Sequence, residues 1–324
     1  MKQSCSGYFY ILLCTLIFSL VEVVLKMVSG VFHPLQITAL RFLIGGLVLL
    51  PFAIRSMRTH KASFHPEDAG FFALLGCLFV CVAMTLYQMA VNYTKAAVVA
   101  IIFSCNPIFV TVVACLILRE RIRKNHVIAL LIELLAILII IDPAHAQLSP
   151  IGVTLGILSA LLFALYSVLG KKRTANFGGI AVTCFSSLFG SLELILLLLF
   201  ARTGIGVRLL TSLHLGIYCN VPLFTGIPLS ALPWLIYIGA INTGFGFVCH
   251  MLAMEKTSAQ EASLIFFLKP MLAPVFAFLF LREELTLNII LGIVCFLIGS
   301  GTAVIPGLLE QRKRLRNRNL EYKK

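Results

Sequence analysis

The chain has 324 residues, 60% hydrophobic and only 12% charged, with a mean hydropathy of +1.02 and a formal net charge of +13. A soluble domain carries about twice that share of charge, so no single aqueous core can hide this much apolar surface, whereas a lipid bilayer can. The positive balance needs no nucleic acid to explain it, because it gathers in short basic clusters beside apolar runs, as in the cytoplasmic loops of membrane proteins.

A bilayer core needs about 20 apolar residues per helix. Ten runs qualify, at roughly 7–29, 34–53, 70–91, 96–118, 125–141, 149–170, 178–201, 230–251, 259–281 and 287–307. The fold class expected is an all-α polytopic membrane protein. The first run follows Lys2 in the manner of a signal peptide. It carries Glu22 and Lys26 and lacks a small-x-small cleavage pattern, so it is read as a retained helix. One substantial connection, about 202–229, is rich in Gly and Pro.

Charges inside spans are costly and are functional candidates. On the first span, Thr15, Ser19, Glu22 and Lys26 make one polar stripe expected to face the protein interior. Glu22 and Lys26 are spaced as an i,i+4 ion pair; Lys26 can also snorkel to the span's end. On the second span, Arg41 shares a face with Thr38 and Gly45 and can reach toward Glu22, as a gating pair or as an anion site. In the third and fourth, Tyr87, Gln88 and Asn106 are candidate binding residues, and Pro107 should distort its helix. Glu133 on the fifth span reads as a packing or lipid-interface residue, with a coupling proton as the alternative.

Tyr166 on the sixth span is a further candidate lining residue. On the seventh, Thr183, Ser186, Gly190 and Glu193 form a second stripe, and Glu193 can carry a coupling proton. In the eighth, "GAINTGFGFVCH" (239–250) combines three glycines with Asn242 and His250; such glycines permit close helix approach or local unwinding around a cavity. In the ninth, Lys269 precedes Pro270 near mid-span, too deep to snorkel, and Pro270, like Pro107, should distort its helix. Lys269 is expected to face the cavity and offer positive charge to an anionic or carboxylate-bearing substrate; a structural pairing is the other reading. Most of the ten cysteines lie in apolar runs and act as small hydrophobes. Cys77 and Cys81 share a helix face, but no histidine or acid near them in sequence completes a ligand set, so neither a metal site nor a disulfide framework is expected.

Lysine and arginine orient the spans. Arg55, Arg58 and Lys61, then Arg119, Arg121, Arg123 and Lys124, then Lys171, Lys172 and Arg173, and finally the tail, all fall on one side if both termini are cytoplasmic. Arg202 and Arg208 are a modest exception.

The chain also repeats itself. "NPIFVTVVACLILRE" (106–120) returns as "KPMLAPVFAFLFLRE" (269–283), and "GCLFVCVAMTLYQMAVNYT" (76–94) aligns with "GAINTGFGFVCHMLAMEKT" (239–257), both at an offset of 163. "LLCTLIFSLVEVVLK" (12–26) aligns with "ILSALLFALYSVLGK" (157–171) at an offset of 145. Two repeats, 1–142 and 143–309, are therefore read, followed by a basic cytoplasmic tail, 310–324. Five spans is an odd number, so the second repeat enters the membrane inverted, a signature of alternating-access transporters.

"HPLQITALRFLIGGLVLLP" (33–51), the two proline-to-RE segments and "FSLVEVVLK" (18–26) together resemble the drug/metabolite transporter superfamily of EamA type, over nearly the whole chain. Phe18-Ser19 departs from it, standing where many members have Trp-Gly. The resemblance implies ten helices, a central cavity lined by the first four helices of each repeat, and export or exchange of small metabolites. The function expected is secondary active transport of a small polar metabolite such as an amino acid, with the proton as a coupling ion, in a plasma membrane of bacterial inner-membrane type. No phosphate-binding GxxxxGK loop is present, and no cofactor is expected. Two other classes stay open. An enzyme would need a reactive constellation; the chain has only Asp68 and Asp142 as aspartates, both outside the spans, and neither HExxH nor GxSxG. A lipid-linked carrier translocase or an accessory subunit would need a laterally open groove.

Overall fold

The computed structural model describes residues 2–104, 106–119, 124–141, 149–213, 215–262, 264–282, 284–299 and 301–302. The described chain is all helical. The helices are α1 (Lys2–Met27), α2 (Pro34–Thr59), α3 (Pro66–Tyr93), α4 (Ala96–Phe103 and Asn106–Leu118), α5 (Lys124–Ile141), α6 (Pro150–Phe177), α7 (Gly179–Phe200), α8 (Leu229–Lys256), α9 (Leu264–Leu281) and α10 (Leu287–Gly299). Eight of these, all but α5 and α10, are helices long and apolar enough to cross a membrane among the described residues. The chain is a multi-pass membrane protein.

The helices outrun the apolar runs that announce them. α2, α3, α6 and α8 extend several residues past the expected bounds, through stretches that include charged residues such as Arg55, Arg58, Glu67, Asp68, Lys171, Lys172, Arg173, Glu255 and Lys256. Proline supplies the starts of α2, α3 and α6, where the missing N–H costs nothing. The long connection after α7 is not featureless: it contains a helix, Gly204–Ser212, opened by Thr203, whose hydroxyl accepts from the Gly206 N–H.

Packing joins the two halves of the chain throughout. α2 lies on α7, α1 on α8 and α9, α3 on α6 and α7, and α4 on α6. Two of these crossings are made backbone to backbone at glycine. A Cβ on Gly45 of α2 would come within 2.9 Å of the Gly239 carbonyl of α8. A Cβ on Gly76 of α3 would come within 2.5 Å of the Gly190 amide nitrogen of α7. Gly45 and Gly190 are repeat partners at the offset of 145, and Gly76 and Gly239 at the offset of 163. The backbone repeats as well. π-helical segments occupy Cys77–Met84 in α3 and Tyr237–Phe245 in α8, and Arg119 and Arg282 both take a left-handed φ, 54° and 55°.

Helix ends sort into two layers. In one, Asp68 pairs with Arg173 at 3.3 Å, the Gly179 N–H donates to Glu255, and Gly7 lies against Thr257. In the other, Gln36 donates to the Leu223 carbonyl at 3.2 Å and Gly152 lies against Thr94. Among the helices these contacts touch, α1, α2, α3, α6, α7 and α8, successive ones therefore run in alternating directions between the layers.

The glycine crossing yields a pair of substitutions with opposite signs. Gly76→Ala should lower stability by about 1–3 kcal/mol through overpacking. Gly70→Ala in the same helix, where nothing lies within 4 Å of a new Cβ, should be neutral or stabilising by up to about 1 kcal/mol. Thermal unfolding of purified protein in detergent reads both.

Candidate functional site

Glu22 and Lys269 meet. α1 carries Glu22 on the predicted stripe, whose members Thr15, Ser19 and Glu22 are all buried. The Thr15 and Ser19 hydroxyls turn back to carbonyls one turn earlier, at 2.8 and 2.7 Å. Those bonds satisfy the two hydroxyls within α1, whereas Glu22 needs a partner on another helix. α9 runs alongside and places the Lys269 ammonium on Glu22 Oε1. The Tyr87 hydroxyl of α3 donates to the same oxygen at 2.5 Å. Glu22 is 0% and Lys269 2% exposed, so the pair is fully withdrawn from solvent. The Lys269 ammonium also stands 5.3 Å from the Phe103 ring centroid and 5.9 Å from that of Tyr87, both within cation–π range.

Arg41 of α2 lines the same cavity, together with Phe18, Val21, Met84, Tyr87, Phe103, Phe247 and Lys269. Arg41 is 1% exposed. Its guanidinium lies 4.9 Å from the Phe42 centroid, and Nε and Nη2 have no hydrogen-bond acceptor. The Glu22 Oε2 atom is likewise unpartnered. The cavity's open volume is only about 20 Å³, room for a single water rather than a metabolite. The charged cluster is thus closed on itself. It holds one carboxylate and two cations, a formal balance of one positive charge.

The other expected residues are distributed around this cluster. Asn106 donates to the Ala160 carbonyl at 2.9 Å, tying α4 to α6 rather than meeting Lys269. Tyr166 stacks on Phe79 at 3.8 Å and its hydroxyl lies 3.3 Å from Ser186. His250 packs among Phe18, Phe163 and Phe266, with Nδ1 unpartnered. Gln88 and Asn242 are buried with orphan amide atoms, Asn242 within the π-helical turn of α8. Lys26 donates to the Val91 and Thr94 carbonyls, both at 3.0 Å, closing the end of α3.

The two prolines sit differently in their helices. Pro107 is the second residue of the Asn106–Leu118 segment of α4, and α9 stays helical through Pro270 and Pro274. Glu193 is not part of the cluster. It lies on the α3-facing side of α7, 3.9 Å from Cys81 Sγ. The Glu133 side chain, residues 120–123, Asp142, Glu283 and the tail lie outside the described residues.

Sequence reasoning missed the apolar walls. A signal for them exists in the repeat: Phe18 aligns with Phe163, Met84 with Phe247, and Phe103 with Phe266. The charged residues break that symmetry. Glu22, Arg41, Tyr87 and Lys269 align with Ser167, Ser186, His250 and Asn106.

A buried pair of this kind has a testable signature. Lys269→Met alone strands the Glu22 carboxylate and should cost about 3–5 kcal/mol. The double variant Glu22→Gln/Lys269→Met should recover most of that loss. Thermal midpoints of the single and double variants in detergent give the coupling directly.

The EamA-like transporter family matches this chain twice, at residues 5–142 and 150–305. A protein of Clostridium kluyveri described as an uncharacterized transporter is 33% identical over 302 residues, covering 91% of each chain. The uncharacterized transporter YoaV of Bacillus subtilis is 23% identical, over 88% of this chain and 92% of its own. A solved crystal structure shares the fold at a TM-score of 0.68 and 15% identity, covering 93% of this chain and 98% of that one. With both matches spanning nearly all of its length, the chain belongs to the EamA-like transporter family.

Proposed function

We propose that this transporter is a secondary active carrier of a small, polar, carboxylate-bearing metabolite such as an amino acid, working by alternating access between two inverted five-helix repeats, 1–142 and 143–309. The observation that carries the reading is the closed cluster of Glu22, Lys269 and Arg41. Two cations face one carboxylate in a small cavity, and two Arg41 nitrogens, Nε and Nη2, are unmatched. A second carboxylate satisfies both deficits. In hydrocarbon surroundings a fixed charge costs about 2.5–3.5 kcal/mol on insertion scales, so an unneutralised cation is retained for a reason. The paired glycine crossings and the recurring π-helical turns support the repeat reading. The basic clusters support an orientation with both termini in the cytoplasm of a cell whose plasma membrane holds the protein.

Two states follow from the charge balance. In the closed state Glu22 occupies Lys269. When the substrate carboxylate takes Lys269 and Arg41, Glu22 loses its cation and accepts a proton from the open side. Proton and substrate then load together, the proton on Glu22 and the substrate on Lys269, each freeing the partner the other needs, which couples their movements. A lipid-carrier translocase is less well served, because every charged group of the cluster is enclosed rather than open to the bilayer.

The decisive experiment is a screen of radiolabelled metabolites in proteoliposomes, with and without a proton gradient. Once a substrate is in hand, Glu22→Gln should lose gradient-driven accumulation by at least tenfold while retaining gradient-independent exchange. Full proton-driven uptake in that variant removes Glu22 from coupling. The folded double variant Glu22→Gln/Lys269→Met should fail to bind substrate; normal binding makes the pair purely structural. The topology is checked separately by cysteine labelling. Positions beside Arg119 and beside Arg282 should react from opposite faces, and reaction from one face excludes the five-plus-five arrangement.

A further inference from the structure

We propose that Cys77, Cys81 and Glu193 form a binding site for a soft or borderline divalent cation, Zn²⁺ or Cd²⁺, between α3 and α7. The two sulfurs and a Glu193 carboxylate oxygen all lie within 4.8 Å of one another. Two thiolates and a carboxylate are a zinc-type donor set with a fourth position left for water. α7 supplies the acid that the sequence around the cysteines lacks.

The local fold explains how the three groups meet. α3 and α7 touch at Gly76 and Gly190 without intervening side chains. Cys77 follows Gly76 directly, Cys81 lies one turn on, and Glu193 lies nearly one turn beyond Gly190. The backbone from Cys77 to Met84 is π-helical, a distortion that collects at functional sites. The Cys81 thiol already donates to the Gly190 carbonyl at 3.3 Å and points on toward Glu193.

The repeat supplies an internal control. The equivalent crossing of α2 on α8 is built at Gly45 and Gly239 with the same π-helical turn. There the positions of Cys77, Cys81 and Glu193 are held by Ala240, Gly244 and Val48. The crossing therefore needs neither the thiols nor the carboxylate. All three coordinating groups occur together at one crossing, and the other has none of them.

Cys77 is exposed and Cys81 and Glu193 are half-buried, so the three groups open at the outer surface of the helix bundle rather than inside it. A bound cation would staple α3 to α7, one helix from each half of the chain.

The test uses purified full-length protein in detergent with a non-chelating reductant. Cd²⁺ is titrated while thiolate-to-metal charge-transfer absorption is followed, and the thermal midpoint is read with Zn²⁺. The wild type should saturate at one equivalent per chain with a raised midpoint. Cys77→Ser and Cys81→Ser should each lose the absorption and the shift, and Glu193→Gln should weaken binding at least tenfold. Cys77 is exposed, so its serine variant keeps the test alive if Cys81→Ser does not fold. Failure of the wild type to bind, or unchanged binding in either serine variant, overturns the site. Full affinity in Glu193→Gln also overturns it, by removing the third ligand.

Discussion

A glutamate and a lysine buried together at membrane depth constrain the rest of this molecule. Neither can stay charged alone in hydrocarbon, so α1 and α9 must remain in register. Because Glu22 and Lys269 are 247 positions apart, that one contact also binds the first half of the chain to the second. The hydroxyls of Thr15 and Ser19 serve the same end, satisfying themselves within α1 and leaving the carboxylate to reach outward. The aromatic walls follow from it too. Phe103 and Tyr87 flank the ammonium, exclude water and give it ring faces to lie against.

Around that pair the architecture is nearly symmetric and the chemistry is not. Glycine crossings, π-helical turns and left-handed arginines recur at the repeat offsets. The apolar lining recurs as well, Phe18 with Phe163 and Phe103 with Phe266. On the mate side the charged set is replaced by Ser167, Ser186, His250 and Asn106; Ser186 and Asn106 make neutral hydrogen bonds, His250 packs on Phe163, and the Ser167 hydroxyl is unpartnered.

The close glycine contacts carry an energetic consequence. Between helices in lipid there is no hydrophobic gain, so association depends on near approach of backbones. Gly45, Gly76, Gly190 and Gly239 supply that approach at two points, each joining one half of the chain to the other. Side chains flanking such a crossing are brought within bonding range of one another, which is how Cys77, Cys81 and Glu193 come together.

Much of this was written in the chain. Apolar runs located the helices because membrane thickness sets their length whatever they pack against. The two offsets exposed the duplication, and the expense of charge in lipid singled out Glu22, Arg41 and Lys269 as residues with a task. Helix ends were less legible: α2 and α6 continue past their apolar runs because a helix needs no hydrocarbon once it leaves the bilayer. Partners were not legible at all. Spacing offered Lys26 to Glu22, yet the Lys26 ammonium caps α3 and the Lys269 ammonium takes the carboxylate. Local spacing ranks only neighbours on one helix, whereas the choice among cations is made by which helices pack, and that is decided by the fit of whole helix surfaces. The same reason separated Glu193 from the central cluster and set it beside two cysteines more than a hundred positions away.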